Sequence, residues 1–509
     1  MRIRLAAVGM LVVAVLASAA VALAATGAPA KPPTADPFYK WSGSLQKVAP
    51  GTVLRRRTVT LNPAVGGATT ATQLLYRTTT QLGKPAVTVT TVIAPPQSSG
   101  ALKLVAYQTA YDALGAQCDP SYTLAGGNDS SDSAETVIMA QFVANGDTVV
   151  VSDYEGENLA FGAGQQSGYG TLDGIRAAEQ ALHAPASTPV AMIGYSGGSI
   201  ASEFASELAP SYAPKVRIVG VAEGGIPVDF AHNLAYIDGS PVWSSTIPGI
   251  FDGLSRAFGL KLGPLESAYG RTVMRAVSHQ CLGQYLGKYP GLKFRQLFKP
   301  AFAQSDKVPV FATVTNDLIM GRSGTPNEPL LMGVGNADGT GDGVMVANDV
   351  AALAHEYCKR GVNVTFHEYA GDDHTEAAPP FLLAAVPFLQ SRLQGQAVPN
   401  GCASVPVGNS LAPLKVAKVR IGYGGPVRGG RRFTFSARGG VVVDAVVTVT
   451  YNGRVTRTVR LARLTSRPHA ITLPVSKDGH YTVSVSQAGL SLAADEIGIA
   501  SVRGRTGGR

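Results

Sequence analysis

The sequence predicts an α/β fold with a mostly parallel sheet, followed by a smaller antiparallel β domain, and three observations support this. Between about residues 86 and 402, apolar runs typical of strands alternate with helical patterns. After residue 402 the runs become short and alternating, broken by Gly, Asn-Gly and Asp-Gly. The length of 509 residues is sufficient for two folded units, each with its own core.

Residues 1–30 have the features of a signal peptide. A positively charged start is followed by an apolar run that ends in the small-residue pattern Ala22-Leu23-Ala24. The length of the run would also permit an uncleaved membrane anchor, but the small-residue ending favours removal. We therefore expect the mature protein to be secreted.

Four cysteines remain for the exported protein, and an even number in this setting favours two disulfides. Metal ligation is disfavoured because no C-x-x-C or Cys/His cluster occurs. Three pairings are possible. We favour Cys118 with Cys281, which would anchor a long insertion, and Cys358 with Cys402, which would close a short loop.

The strands and helices of the α/β domain, expected over residues 35–405, follow each other in order. Apolar strand candidates are 87–93, 102–107, 148–152, 190–193, 216–222, 330–334 and 362–369, and helices fit at 134–144, 172–183, 200–208 and 344–359. This alternation is typical of parallel strands joined by crossover helices.

One connection, at about residues 228–305, is too long for a crossover and has no strand pattern of its own. Within it, Ile250, Phe251, Leu254 and Phe258 form a helical apolar stripe. The stripe either packs inward in a small helical subdomain or belongs to a cap, or lid, whose apolar face binds an acyl chain.

The short alternating runs predict a small antiparallel β-sandwich-like domain at residues 411–500, with Asn452-Gly453 as its clearest hairpin turn, and a basic tail at 501–509.

The net charge of +9 is concentrated in the C-terminal region. Residues 411–509 contain 16 Lys and Arg against 4 Asp and Glu, a net of +12, which leaves −3 for residues 1–410. The region lacks the aromatic interleaving and the motifs of nucleic-acid binders, so no nucleic-acid partner is expected. Its charge suits an anionic cell surface or membrane, although a purely solubilising module would show the same excess.

Three glycines surround Ser196 in Gly194-Tyr195-Ser196-Gly197-Gly198, between an apolar run and a helical pattern. A serine on a sharp strand-to-helix turn needs neighbours without side chains, and this arrangement is the nucleophile elbow of an α/β-hydrolase fold. In a chain with 59 glycines the motif alone is a weak signal. The rest of the chain must supply the histidine and the carboxylate that a nucleophilic serine needs.

A nucleophilic serine needs a histidine as general base, and in this fold the histidine follows the last strand. Of three candidates, His355 lies in a predicted helix and His367 in a predicted strand, where structural roles are expected. His374 lies in the loop just after that strand. We therefore predict that His374 reaches the serine.

A carboxylate must orient that histidine, and three aspartates follow apolar runs in the appropriate part of the chain. Asp317 precedes a further strand, so it comes one position too early in the chain order of the fold to be the acid. Asp342 is favoured over Asp338 because it immediately precedes the expected helix start at Val344, whereas Asp before Gly usually forms a turn.

An oxyanion developing on the substrate needs N–H donors. We expect one from Gly197, directly after the nucleophile, and one from the loop after the 102–107 strand. This chemistry requires no cofactor and no metal.

Six motifs occur in order: "AYQTAYDALGAQCDPSY", "VVSDYEGE", "YGTLDGIRAA", "GYSGGS", "EGGIPVD" and the segment at 341–374. Together they resemble the secretory lipase family, typified by the lipase A type of yeast, with actinobacterial relatives. The resemblance covers about residues 35–402 and implies a lid within 228–305 and the two disulfides favoured above. It implies these site residues: nucleophile Ser196, acid Asp342, base His374 and oxyanion donors Asp112 and Gly197.

The chain departs from the family where the acid is commonly followed by two aliphatic residues and proline. Here Gly343-Val344-Met345-Val346 follows Asp342, so Asp338 remains the alternative acid.

The sequence thus predicts a secreted serine ester hydrolase that acts on lipid or ester substrates through an acyl-enzyme, as a triacylglycerol lipase or carboxylesterase. One alternative is an esterase or acyltransferase that acts on cell-envelope lipids. Another is a non-catalytic protein that binds surfaces through its basic domain.

Overall fold

The computed structural model describes residues 30–97, 100–127, 135–475 and 479–499. The expected signal peptide, apart from residue 30, and the basic tail lie outside the described residues. No helix within the described ranges has both the length and the apolar character needed to cross a membrane.

A nine-stranded sheet forms the centre of the first part of the chain. Its strands are β1 (Val53–Val65), β2 (Ala68–Thr79), β3 (Pro85–Ile93), β4 (Leu104–Gln108), β5 (Thr148–Ser152), β6 (Val190–Tyr195), β7 (Ile218–Gly224), β8 (Leu330–Asn336) and β9 (Val364–Ala370). The order is β1-β2-β3-β5-β4-β6-β7-β8-β9. Strands β1, β2, β3 and β5 pair antiparallel, and all pairs from β5 to β9 are parallel.

Helices cover both faces of this sheet. They are α1 (Pro120–Thr123), α2 (Glu135–Ala144), α3 (Gly164–Ala181), α4 (Gly197–Tyr212), α11 (Ala347–Lys359) and α12 (Ala378–Leu393), with α5 to α10 in between. Helices α3, α4 and α11 pack on one face, and α2 and α12 pack on the other. Because both faces are covered, β4 and β5 read as continuous apolar runs rather than alternating ones.

Several boundaries differ from the sequence prediction by a few residues, and the starts of two helices are informative. Helix α3 begins at Gly164, eight residues before the predicted start. Its first turns lack an apolar stripe but contain Gly164 and Gly168, where an added Cβ would lie 2.1 Å from the Phe204 ring and 2.7 Å from the Phe204 backbone. Close helix packing, not periodicity, therefore determines this start. Helix α11 begins at Ala347, so the predicted start at Val344 is wrong.

The long insertion is helical. It contains α5 (Phe230–Ile237), α6 (Ile247–Phe258), α7 (Ala268–Val277), α8 (Leu282–Tyr285) and α9 (Phe294–Leu297), and α10 (Pro309–Asp317) leads back to the sheet. The disulfide between Cys118 and Cys281 joins the insertion to the loop after β4. The second disulfide joins Cys358 in α11 to Cys402, so both expected pairings are present.

Most of the apolar stripe on α6 packs inward. Phe251 lies among the rings of Phe294, Phe298 and Phe311, with centroid distances of 5.3, 5.2 and 5.0 Å. Phe258 packs with alanines of the 160–163 loop and with Ala257. Of the two alternatives for the stripe, inward packing therefore describes these two side chains.

The C-terminal region consists of two antiparallel sheets. The strands are β10 (Lys418–Val427), β11 (Gly430–Arg438), β12 (Val442–Tyr451), β13 (Arg454–Leu464), β14 (His469–Leu473), β15 (Gly479–Gln487) and β16 (Leu490–Ile499). The sheet orders are β10-β11-β14 and β13-β12-β15-β16, and both contribute to one hydrophobic cluster. The predicted hairpin at Asn452-Gly453 is present with positive φ at both residues, as a type I′ turn requires.

The β15–β16 turn contacts the first part of the chain. The buried Gln487 side chain accepts from the Val310 N–H at 3.1 Å and donates to the Val443 carbonyl at 2.7 Å. The Ala488 carbonyl accepts from the Lys261 N–H, just after α6. These bonds fix the β region against the end of the insertion.

Candidate active site

Ser196 occupies a strained turn between β6 and α4. Its φ is 54° and its ψ −124°, a conformation that costs a non-glycine residue about 1–3 kcal/mol. A Cβ on Gly194 would lie 2.2 Å from the Gly198 carbonyl oxygen, and a Cβ on Gly198 would lie 2.1 Å from that of Gln108. The glycines are therefore required for the close backbone approach that this turn needs.

Ser196, His374 and Asp342 form one hydrogen-bonded chain. His374 Nε2 lies 2.8 Å from Ser196 Oγ, and His374 Nδ1 lies 2.8 Å from Asp342 Oδ2. His374 is in the loop after β9 and only 4 % exposed. The structure thus brings together the three side chains that sequence reasoning selected from distant parts of the chain.

The Asp342 carboxylate is held rigidly. Its Oδ1 accepts from the N–H groups of Val344 and Met345 at 2.9 and 2.6 Å, and its own carbonyl accepts from the His374 N–H at 2.8 Å. Asp342 lies in a loop before α11 rather than directly before the helix. These local bonds, not a helix start, orient it toward the histidine.

The competing residues lie elsewhere. Asp338 forms a turn in which its carboxylate accepts from two backbone N–H groups and from Tyr236 Oη at 2.9 Å. Slight burial opposes the effect of these bonds, and the net pKa of Asp338 is lowered. Asp317 ends α10, His355 lies within α11, and His367 within β9.

Asp112 lies beside the start of α4. It follows β4 with a φ of 40°, and a Cβ on Gly197 would lie 1.6 Å from Asp112 Oδ1. The carboxyl is buried, and Oδ1 has no hydrogen-bond partner among the described residues. Burial raises the pKa of Asp112 to about 7, with His374 acting in the opposite direction. Sequence reasoning identified Asp112 only for its backbone N–H and missed this side chain.

An apolar cavity opens beside Ser196. Its enclosed volume is about 50 Å³, and α5 and other parts of the insertion form much of its wall. Trp243, Ile250 and Leu282 come from the insertion, and the Trp243 ring packs edge-on against His374 at 5.2 Å. Of the predicted stripe, Ile250 lines this cavity.

No group of His, Cys, Asp or Glu side chains in the described ranges could hold a metal ion. The arrangement joins a serine hydroxyl, an imidazole and a carboxylate by hydrogen bonds beside an apolar cavity.

The sheet order and the serine elbow with its histidine and aspartate define an α/β-hydrolase. Residues 128–401 match the family model described as secretory lipase, and this chain belongs to that family.

The chain is 31% identical over 382 residues to a probable inactive lipase of Mycobacterium tuberculosis, covering 72% of this chain and 83% of that protein. It is 30% identical over 393 residues to a trichothecene C-3 esterase of Fusarium sporotrichioides, covering 72% and 85%. The structure is similar to Candida antarctica lipase A in its closed state, with a TM-score of 0.69 and 27% identity, covering 75% of this chain and 91% of that one.

Proposed function

We propose that this protein is a secreted serine hydrolase that cleaves lipid esters, as a triacylglycerol lipase or carboxylesterase. The observation that carries the proposal is the hydrogen-bonded chain from Ser196 through His374 to Asp342, beside an apolar cavity. The family name supports export and lipid substrates.

In the proposed reaction, Ser196 Oγ attacks the ester carbonyl while His374 Nε2 accepts its proton. Asp342 keeps the Nδ1 proton of the imidazole directed toward itself and stabilises the imidazolium. His374 then protonates the departing alcohol, which leaves an acyl group on Ser196. Water, deprotonated by the same histidine, attacks this ester and releases the carboxylic acid.

The N–H groups of Gly197 and Asp112 are proposed to stabilise the oxyanion. Gly197 is the first residue of α4, so its N–H lies at the positive end of the helix dipole. Asp112 lies beside Gly197, since a Cβ added to Gly197 would be 1.6 Å from Asp112 Oδ1.

One relative carries the name of an inactive lipase, so activity has to be tested in this chain itself. The test is the Ser196→Ala variant, assayed on p-nitrophenyl butyrate and on a triacylglycerol emulsion. We expect a loss of about 10⁶ in kcat with an unchanged melting temperature. Ser211→Ala, at the exposed end of α4, is the matched control and should retain full activity. Retention of more than a tenth of the activity by Ser196→Ala would reject the mechanism.

An esterase or acyltransferase that acts on cell-envelope lipids would use the same residues. Product analysis in the presence of an alcohol acceptor separates hydrolysis from acyl transfer, because a hydrolase yields mainly free acid and an acyltransferase mainly the new ester.

We also propose the domain boundaries 35–405 and 411–500, the latter with its two sheets packed as a sandwich, and a lid within residues 228–305. The lid proposal is supported by the insertion side chains in the wall of the cavity, which include Trp243, Ile250 and Leu282. The Trp243 ring also contacts the proposed base.

The basic C-terminal region is proposed to bind anionic surfaces. Strand β13 is at the edge of its sheet and exposes Arg454, Arg457, Arg460 and Arg463. Arg460 forms an ion pair with Asp444 at 3.2 Å. These exposed guanidinium groups would attract anionic lipid or cell-wall polymer, with salt screening over about 8 Å at physiological ionic strength.

Charge substitution tests this better than truncation, because truncation would expose the surface that Gln487 covers. Arg454, Arg457 and Arg463 replaced together by serine should abolish retention on anionic vesicles at low salt and leave hydrolysis of a soluble ester unchanged. If the variant and wild type were retained equally on anionic vesicles, the basic C-terminal region would not have this function.

A further inference from the structure

Asn233 is a polar side chain in the wall of the cavity that the proposed reaction does not use. Helix α5 presents Phe230, Leu234 and Ile237 to the cavity, and Asn233 lies in the middle of this apolar face. Asn233 is 7 % exposed, and it shares the cavity with Ser196. A buried amide among apolar side chains needs hydrogen-bond partners for both of its ends.

The nitrogen end of this amide has partners. Nδ2 donates to the Val344 carbonyl at 2.8 Å and contacts Met345 Sδ at 3.4 Å. Because these contacts direct the amide nitrogen toward the loop after Asp342, the amide oxygen lies on the opposite side of the group. Asn233 Oδ1 has no hydrogen-bond partner among the described residues and is closed to water, so a substrate hydroxyl reaches it only when neighbouring wall side chains shift.

We propose that Asn233 Oδ1 accepts a hydrogen bond from a hydroxyl group on the part of the substrate that enters the cavity. The preferred substrates are then hydroxylated esters rather than plain alkyl esters. This inference rests on the proposed ester hydrolase function and specifies its substrate class.

The chemistry of the site favours a neutral O–H donor. An amide oxygen carries no net charge and cannot by itself replace the hydration of an ammonium group, and most of the surrounding wall is apolar. A hydroxyl group has a smaller desolvation cost and supplies the missing donor. An ester of the same shape without a donor leaves Oδ1 unpaired, which is the situation in which polar sites discriminate strongly.

The experiment compares p-nitrophenyl octanoate with its 3-, 6- and 8-hydroxy derivatives and with the methyl ether of each. The ethers keep the oxygen and the added volume but cannot donate. For wild type, at least one hydroxylated ester should have a kcat/KM about tenfold or more above both its ether and the unsubstituted ester.

The Asn233→Leu variant should reverse this preference. It should lose about tenfold on the favoured hydroxylated ester and gain on the unsubstituted one, since an apolar side chain of similar size suits an alkyl chain. Asn145→Leu, at an exposed position after α2, is the matched control and should leave both values unchanged. A gain on one substrate cannot come from a variant that is merely misfolded.

Two results would overturn the proposal. In the first, no hydroxylated ester exceeds its methyl ether by more than twofold in wild type. In the second, Asn233→Leu lowers all rates equally, which would assign Asn233 only to holding the Val344 loop. Neither result affects the proposed hydrolase function, which depends on the loss of activity in Ser196→Ala.

Discussion

Replacing Glu223 with glutamine is expected to stabilise the protein at alkaline pH and to have little effect at acid pH. Glu223 on β7 belongs to a group of four buried glutamates with Glu203 and Glu207 on α4 and Glu328 before β8. None of them forms an ion pair with Lys or Arg among the described residues. Tyr357 Oη donates to Glu203.

Burial raises the pKa of Glu223 to about 7 from 4.5, although the adjacent Glu203 carboxyl acts in the opposite direction. The folded state therefore holds a proton that the unfolded state releases. Stability from this group is complete below pH 4.5 and is lost as the pH rises toward 7. A shift of this size corresponds to about 3 kcal/mol at pH 8.

The assay is urea denaturation of wild type and Glu223→Gln at pH 4 and pH 8. Equal unfolding free energies are expected at pH 4, and the variant should be more stable by about 3 kcal/mol at pH 8, because glutamine cannot ionise. The exposed Glu157→Gln is the control and should show no such difference. A Glu223→Gln variant with the pH dependence of wild type would refute the reasoning.

Three further predictions concern the site. Asp342→Asn should lower kcat by about 10⁴ because the imidazole takes the wrong tautomer. Asp338→Asn should lower kcat less than about threefold because asparagine also forms this turn, and the reverse order of the two effects would assign the acid to Asp338. Asp112 ionises above its pKa of about 7, and its charge then repels the oxyanion. The kcat of wild type should therefore fall about tenfold by pH 9, and this fall should disappear in Asp112→Asn. An unchanged pH–kcat profile in the variant would contradict this. Ile250→Ala enlarges the cavity and should raise kcat/KM for octanoate over butyrate esters about fivefold, whereas Phe258→Ala should only lower the melting temperature; equal ratios in both variants would show that Ile250 does not contact the acyl chain.

The sequence was sufficient to predict the elements that have a strong local signal. Buried parallel strands such as β5 appear as short apolar runs, and the glycines around Ser196 mark a turn that few other residues tolerate. The position of His374 after the last strand identified it among three candidates. These predictions needed only the chain order of the fold.

Several features that depend on contacts between distant segments were not predicted. Strands β1 and β2 carry many polar residues, and the sequence reading missed them. The stripe on α6 is amphipathic whether it faces rings or a ligand, so periodicity could not separate Phe251 from Ile250. The polar side chains of Asp112 and Asn233 acquire meaning only once the cavity is formed around them.

The most direct test of the proposed nucleophile is labelling of the folded protein with a serine-directed fluorophosphonate, followed by peptide mass spectrometry. We expect a single adduct on Ser196, at a rate that falls by several orders of magnitude in His374→Ala, because the imidazole must remove the hydroxyl proton. Absence of an adduct on Ser196 in folded wild-type protein, or equal labelling of Ser196 in both proteins, would contradict the account.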